Sequence, residues 1–507
     1  MRAPGVAGLL IGLAGCQLVF GVDPNRDGGG GGDLVDARPS SCPTGMAEVT
    51  VTIDPVRMQN TVAGVTELVP DSIAPADQTH DLSIAGGEFT RVDLDADGAL
   101  RFCRADEDTP YRLRSQLGVG APITELIGTW PAPRIGRLTF GRAGPTLTDG
   151  GAQLQVGVGN RPTGRIVLMT TGVFATATEV PVGPGVTTVS RRWDGFAHLR
   201  GELLTARSDA GDRFLVLEYV DTSTAPATRL LRAAGSSTMD FETTPASVSV
   251  IDVALTPTST RDLDVPFGTT DVASLRARLP TRSTRTADPG PPVAVRAWPE
   301  GTRAVQPSVL LGASQADDPS TTFVMYAAPA ILGAEWEPYL QLRVSNSNVY
   351  THDERTTLLS DLIDYFGAVG SFDGIAIPPV VLAKLDGTIG AADDEPVLGF
   401  DPGQAQTITM SWRSPPTTDT RVAVQLLEVV DSVTTGALAL RPVYVFLTGG
   451  TAVTALDVPV GVIQPGHRYV LLAATRVGTQ VFTDGDWVRI DYPFTQATTM
   501  SPVFVVP

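Results

Sequence analysis

The chain has 507 residues, with 37 basic against 55 acidic side chains and a formal net charge of -18. That balance argues against nucleic-acid binding, which needs a cationic surface to displace counterions, and suits the solubility of an exported body. With 52 Gly, 40 Pro and 42% hydrophobic residues, the composition favours short strands and turns over helix, and the length allows three or four modules.

At the amino end, Gly5 to Gly15 is a run of apolar and small residues behind Arg2. It is too short for a bilayer-spanning helix, which needs about 20 apolar residues, and has the size of a signal-peptide hydrophobic region. Its last residues, Leu13-Ala14-Gly15-Cys16, resemble the lipobox of bacterial lipoprotein signal peptides. The resemblance implies that residues 1–15 are removed, that Cys16 is acylated, and that the protein is anchored in the cell envelope. Several acyl chains attach a protein durably, since each buried methylene contributes ~0.8 kcal/mol. Gln17 stands where the inner-membrane retention signal of some bacteria has Asp, which favours the outer membrane. Residues 16–42 then comprise the lipidated Cys and a tether with five consecutive glycines, whose r.m.s. reach as a coil is roughly 25–30 Å. With Cys16 assigned to lipid, Cys42 and Cys103 remain, and an exported compartment permits their pairing. The alternative, two unpaired core residues, fits an oxidising space less well.

Strand signals dominate the rest. "AEVTVTIDP" (47–55), "GRIVLMTTGVFA" (164–175), "DRFLVLEYVD" (212–221), "SVSVIDVALTP" (247–257) and "TFVMYAAPAI" (322–331) are short apolar or alternating runs between turn residues. "DERTTLLSDLIDYFG" (353–367) reads as a helix, because Leu358, Leu359, Leu362, Ile363 and Phe366 share a helical face ahead of Gly367. "DVASLRARL" (271–279) is a weaker helical candidate. The predicted fold is mainly β, with tandem β-sandwich modules of immunoglobulin-like or fibronectin III-like type and one or two short helices. Pro-rich and small polar stretches place the modules at 43–130, 131–285 (a β-rich middle region), 286–390 (β-rich, with a short helix) and 391–507.

"GEFTRVDLDADGALRFCR" (87–104) reads as a hairpin, Val92 and Leu94 on one strand, Leu100 and Phe102 on the next, turning at 95–98. With residues 47–115 around it, it resembles a carboxypeptidase-regulatory-like, prealbumin-type sandwich. Asp93, Asp95, Asp97 and Gly98 also spell the start of a calcium loop, but the twelfth position is Arg104 where a bidentate Glu is needed; the turn reading is preferred. Near the carboxy end, Trp412 in "TITMSWRSP" and Tyr469 after a Pro-Gly turn in "VIQPGHRYVLLAAT" are similar to a fibronectin type III-like module. That resemblance implies a core Trp and a corner-bonding Tyr, with an insertion between them.

Catalytic signatures are weak. His80, His198, His352 and His467 are far apart, and no HExxH or His-x-His spacing joins them. Lys384, the single lysine, lacks a phosphate-binding loop, and "GSFDG" (370–374) misplaces the serine of a nucleophile elbow. The acidic clusters at 106–108 and 393–395 read as solvated turns. "RRWDGFAH" (191–198) and "TDGDWVRIDY" (483–492) put Trp193 and Trp487 beside carboxylates, a candidate ligand surface for glycan or protein. No catalytic residue, cofactor or resident metal is assigned. The favoured reading is a lipid-anchored envelope protein with a non-enzymatic binding, adhesion or scaffolding role. The rivals are an envelope hydrolase acting on glycans or peptides, with its site in 132–385, and a structural spacer in an envelope complex.

Overall fold

A computed structural model describes residues 42–71, 73–142, 152–158, 165–173, 175–181, 188–193, 196–198, 204–221, 230–282, 285–287, 293–299, 308–314, 322–327, 336–370, 372, 375–386, 388–389, 397–398, 404–417, 419–431, 437–449, 453–478 and 493–507. The lipobox with Cys16, the Gly-rich tether, the 393–395 cluster and Trp487 lie outside them.

The chain is mainly β, as its composition predicts, and its sandwiches share sheets rather than standing apart. In the first, Ala47–Asn60 pairs antiparallel with Thr66–Pro70 and Ala99–Arg104, and parallel with Arg134–Phe140. This sandwich therefore runs past the expected cut at 130, to Phe140. Opposite lie Gln78–Ile84, Tyr111–Leu117 and Ile123–Gly128. Val49, Val51, Leu100, Phe102 and Ile135 of one sheet meet Leu82, Leu113 and Leu126 of the other, alternate residues pointing inward as a half-buried strand requires.

The second sheet does not end at Ile123–Gly128. That strand pairs in parallel with Leu438–Gly449, in the register Tyr444↔Ile123 to Thr448↔Ile127. The ladder continues through Arg421–Asp431, Arg468–Gly478, Phe494–Met500, Arg355–Ala368 and Trp336–His352. It runs on through Val293–Pro299, Val309–Ser314, Leu230–Asp240 and Arg213–Asp221 to Arg165–Thr171. Small sheets pack onto this continuous one. Val381–Leu385, Gln406–Trp412 and Ala455–Val458 form one, Gln153–Val158, Thr188–Arg192 and Val248–Val253 another, and Thr260–Val265 with Thr322–Ala327 a third. Each covers its own apolar cluster.

Among the described residues, each run read as a strand from sequence contains one. The two helical readings fare differently. Residues 269–276 form a helix, Thr269–Arg276, in which the Asp271 carboxylate accepts the Gly268 N–H and Leu275 is buried. Residues 353–367, expected to be helical, form a turn and the strand Arg355–Ala368, which pairs along its whole length with Trp336–His352. The strand is central and buried on both faces, so it shows no polar alternation. Ile363 and Tyr365 face one cluster while Leu362 and Phe366 lie on the opposite face, and two apolar faces of a strand mimic one helical stripe.

The expected hairpin at 87–104 is also different. Its turn forms, with Gly98 N donating to Asp95 O at 2.9 Å, but its arms diverge. Thr90–Arg91 pairs with residues 81–82, while Ala99–Arg104 crosses to Ala47–Asn60. The turn thus connects the two sheets of the sandwich.

The tip of the 336–368 hairpin is a two-residue turn in which Asp353 and Glu354 both take positive φ, 47° and 64°. Side chains there are strained, and Asn-Gly is the favoured pair. Asp353→Asn with Glu354→Gly should raise stability by about 1 kcal/mol in chemical denaturation; an unchanged or lower midpoint would show that the tip carries no strain.

Candidate functional site

Buried carboxylates stand at the joints, Glu125 and Asp361 on strands and Asp212 just before one, and arginine meets each of them. Glu125, at the centre of the strand that accepts Leu438–Gly449, is fully buried. Arg112 Nε and Arg114 Nε donate to it at 2.5 and 2.9 Å, and the Tyr444 hydroxyl donates to Oε2 from the partner strand. Burial, followed by the charge of Glu125, holds the Tyr444 phenol far above its ordinary value. Removing one partner from such a buried charge set costs about 3–5 kcal/mol, so the pairing is specified by electrostatics as well as by backbone hydrogen bonds.

A second joint links the first sandwich to the middle of the chain. Arg142 Nη2 donates to Asp212 Oδ2 at 2.6 Å, and Asn60 Nδ2 donates to Thr171 Oγ1 and Gly211 O, each at 2.9 Å. Burial pushes the Asp212 carboxyl up, against hydrogen bonds from Arg142 and the Arg207 amide. Gly211, at φ +79°, sits so close to Thr61 that a Cβ would lie 1.8 Å from the Thr61 carbonyl oxygen; only glycine permits that approach.

The third joint fastens Arg282 and Arg285. Arg285 Nη1 reaches Asp361 Oδ1 at 2.5 Å and Arg282 Nε reaches Oδ2 at 3.3 Å. The Met500 amide also donates to Asp361 Oδ1, and Arg282 Nη2 donates to Met500 O at 2.8 Å. Asp364 is held in the same way, by a two-pronged contact from Arg343 at 2.6 and 2.8 Å. Sequence reasoning missed these four carboxylates; the available signal was acids set inside an apolar run, as in "SDLIDYF".

A polar cluster open to solvent stands on the carboxy-terminal sandwich. His467 Nδ1 lies 2.5 Å from Glu428 Oε1, and Arg441 Nη2 donates to Oε2. Burial of Glu428 works to raise its carboxyl, but hydrogen bonds from Arg441 and His467 outweigh it and leave the group below its ordinary value. A carboxylate held below its ordinary value by hydrogen bonds from Arg441 and His467 is a hydrogen-bond acceptor, whereas a general acid needs a raised pKa.

The residues singled out in the sequence fall as follows. Cys42 and Cys103 form a disulfide with Cα atoms 5.5 Å apart. Asp95 and Asp97 hold a guanidinium in place of calcium, Arg101 Nη1 donating to Asp95 Oδ2 at 2.6 Å and to Asp97 Oδ1 at 3.0 Å, while Asp93 is exposed. Among the described residues no group of three or more His, Cys, Asp or Glu could hold a metal ion. Trp193 does not offer a ligand surface: it is 0% exposed, meets Phe196 at a tilt and Phe241 edge-on, and donates Nε1–H to Leu204 O at 2.9 Å. An indole whose N–H finds a backbone acceptor is satisfied as core. The 106–108 cluster is a tight connector in which Asp106 accepts from Thr109 and from the Asp108 amide. Tyr469 makes the corner bond, its hydroxyl oxygen accepting the Gln464 N–H at 3.1 Å. Trp412 is half-buried at the rim of that core rather than at its centre, because it is the last residue of its strand.

Neither a family model nor a curated protein matches the chain. Among solved structures, it is similar to the FN1-FN3 domains of chicken CNTN1, at 8% identity over 89% of this chain and 99% of that one, with a TM-score of 0.13. It is also similar to a Streptococcal ancillary pilin, at 7% identity over 65% of this chain and 96% of that one, with a TM-score of 0.12. Likenesses of this size carry no argument about fold or function.

His80 supplies a test of the first sandwich. It is buried, with Nδ1 3.0 Å from Ser115 Oγ, and burial, helped by Arg91, lowers its pKa from 6.5 to about 4. The unfolded chain therefore takes up this proton first, so stability should fall as pH drops from 6.5 towards 4 and His80 should add nothing below that. His80→Gln should flatten that part of the pH–stability profile; an unchanged slope would contradict the assignment.

Proposed function

We propose that this chain is a lipid-anchored protein of the bacterial envelope whose body is a non-enzymatic scaffold, holding surfaces for protein or glycan partners at fixed spacing. The observation that carries this reading is how the sandwiches are joined. They meet through shared β-ladders and buried arginine–carboxylate sets, which set distance and orientation in a way that loose linkers do not. The buried carboxylates Glu125, Asp361 and Asp364 are committed to guanidinium groups, a use that serves rigidity rather than proton transfer. Within the body, residues 397–507 are assigned to a fibronectin III-like class on the strength of the Tyr469 corner bond and the placement of Trp412. The anchor rests on Leu13-Ala14-Gly15-Cys16, and Gln17 favours the outer membrane.

Cells carrying the wild-type chain or Cys16→Ser, grown with labelled palmitate and fractionated, test the anchor. The wild type should incorporate label and sediment with membranes, while the variant should lose the label and either become soluble or keep its first 15 residues. Label retained by Cys16→Ser, or unlabelled wild type, would refute it.

A further inference from the structure

The disulfide sits where the tether meets the body, and its position has a mechanical consequence. Cys42 is followed by a tight turn, with Met46 N donating to Pro43 O at 3.0 Å, and then at once by Ala47–Asn60. Cys103 lies on Ala99–Arg104, directly opposite Glu48 in the register that begins Ala47↔Arg104. The bond therefore closes on the first rungs of the first strand, at the end where the chain arrives from residue 41.

Through the bond, covalent routes lead inward to both sheets from that point. One follows Ala47–Asn60, the strand flanked by Ala99–Arg104 on one side and Arg134–Phe140 on the other. Another crosses to Cys103 and passes along residues 104–110 into Tyr111–Leu117, the strand between Gln78–Ile84 and Ile123–Gly128 in the opposite sheet. That short connector is tied down. Buried Arg104 donates to Thr109 O at 3.2 Å, Thr109 Oγ1 donates to Asp106 Oδ1 at 2.6 Å, and the Tyr111 hydroxyl donates to Trp130 O at 3.0 Å.

We propose that the Cys42–Cys103 disulfide is a force clamp: tension arriving through the tether is divided between the two sheets of the first sandwich instead of entering its first strand alone. The proposal rests on the anchored reading, which supplies the tension. Without the bond, a pull on residue 41 would act on the first rungs of Ala47–Asn60 in turn, and each single backbone hydrogen bond is weak by itself. With it, the 47–60 and 99–104 strands are pulled as one unit, and Tyr111–Leu117 shares the load. The sandwich must then yield as a whole.

A single-molecule pulling experiment on the full mature chain tests this. Unacylated Cys16 carries the handle through a thioether, the carboxyl end is held, and the same folded molecules are pulled before and after reduction with a phosphine. Reducing in place avoids variants that fail to fold. Oxidised molecules should give no extension step before the first sandwich ruptures. Reduced molecules should gain an early, lower-force step whose length matches release of the chain up to Asn60. The fixed difference in total length from the 61-residue separation of the two cysteines follows from the covalent bond and decides nothing. An unchanged first rupture force with no early step would overturn the clamp. So would spontaneous unfolding on reduction without load, which would make the bond a stabiliser rather than a path for force. Palmitate labelling at Cys16 decides the anchor separately, so the two failures cannot be confused.

Discussion

The strand Ile123–Gly128 cannot finish its own sheet. Its free edge is completed by Leu438–Gly449, more than 300 residues later in the chain, and a buried carboxylate at its centre needs partners from both sides of the seam. Glu125 has them in Arg112 and Arg114 on the near side and Tyr444 on the far side. An unpaired edge strand invites association with other chains, and a buried unpaired charge is strongly destabilising, so the first sandwich is complete only when the last is present. Ala423, Val445 and Leu447 belong to the same apolar cluster as Val49 and Leu113, which extends the dependence from the ladder to the core.

The same logic recurs at the other seams, and it gives the arginines a physical role. Lys384 is the single lysine among 37 basic residues. In the fold, Arg282 and Arg285 share Asp361, and within the 336–368 hairpin Arg343 grips Asp364 with both prongs. A planar guanidinium, more weakly hydrated than an ammonium, suits such half-buried, two-pronged contacts better than lysine does. Carboxylates that look catalytic by burial are therefore structural by partnership, and the sandwiches they join act as one body.

Much of the local structure was legible in the sequence. Alternation marked Ala47–Asn60, continuous apolar runs marked Arg165–Thr171 and Arg213–Asp221, and the pairing of Cys42 with Cys103 followed from giving Cys16 to lipid. The corner bond of Tyr469 is the one that the resemblance to a fibronectin type III-like module implied. The failures share a cause: they concern which side of an element is covered, and by what. Residues 353–367 looked helical because a strand buried on both faces loses its period of two. Trp193 looked exposed because charged neighbours in sequence said nothing about Phe196 and Phe241 in space. The parallel joint between residues 123–128 and 444–448 had no sequence signal of its own, since an edge strand and an inner strand are written in the same residues until the partner is known.

Native-state hydrogen exchange on the intact chain tests the central dependence most directly. Amides of residues 123–128 and 444–448 should be protected to a similar degree and should open together in one cooperative event as denaturant is raised. Rapid exchange across 123–128 while 438–449 stays protected would show that the first sandwich stands alone, and the shared-sheet account would be wrong.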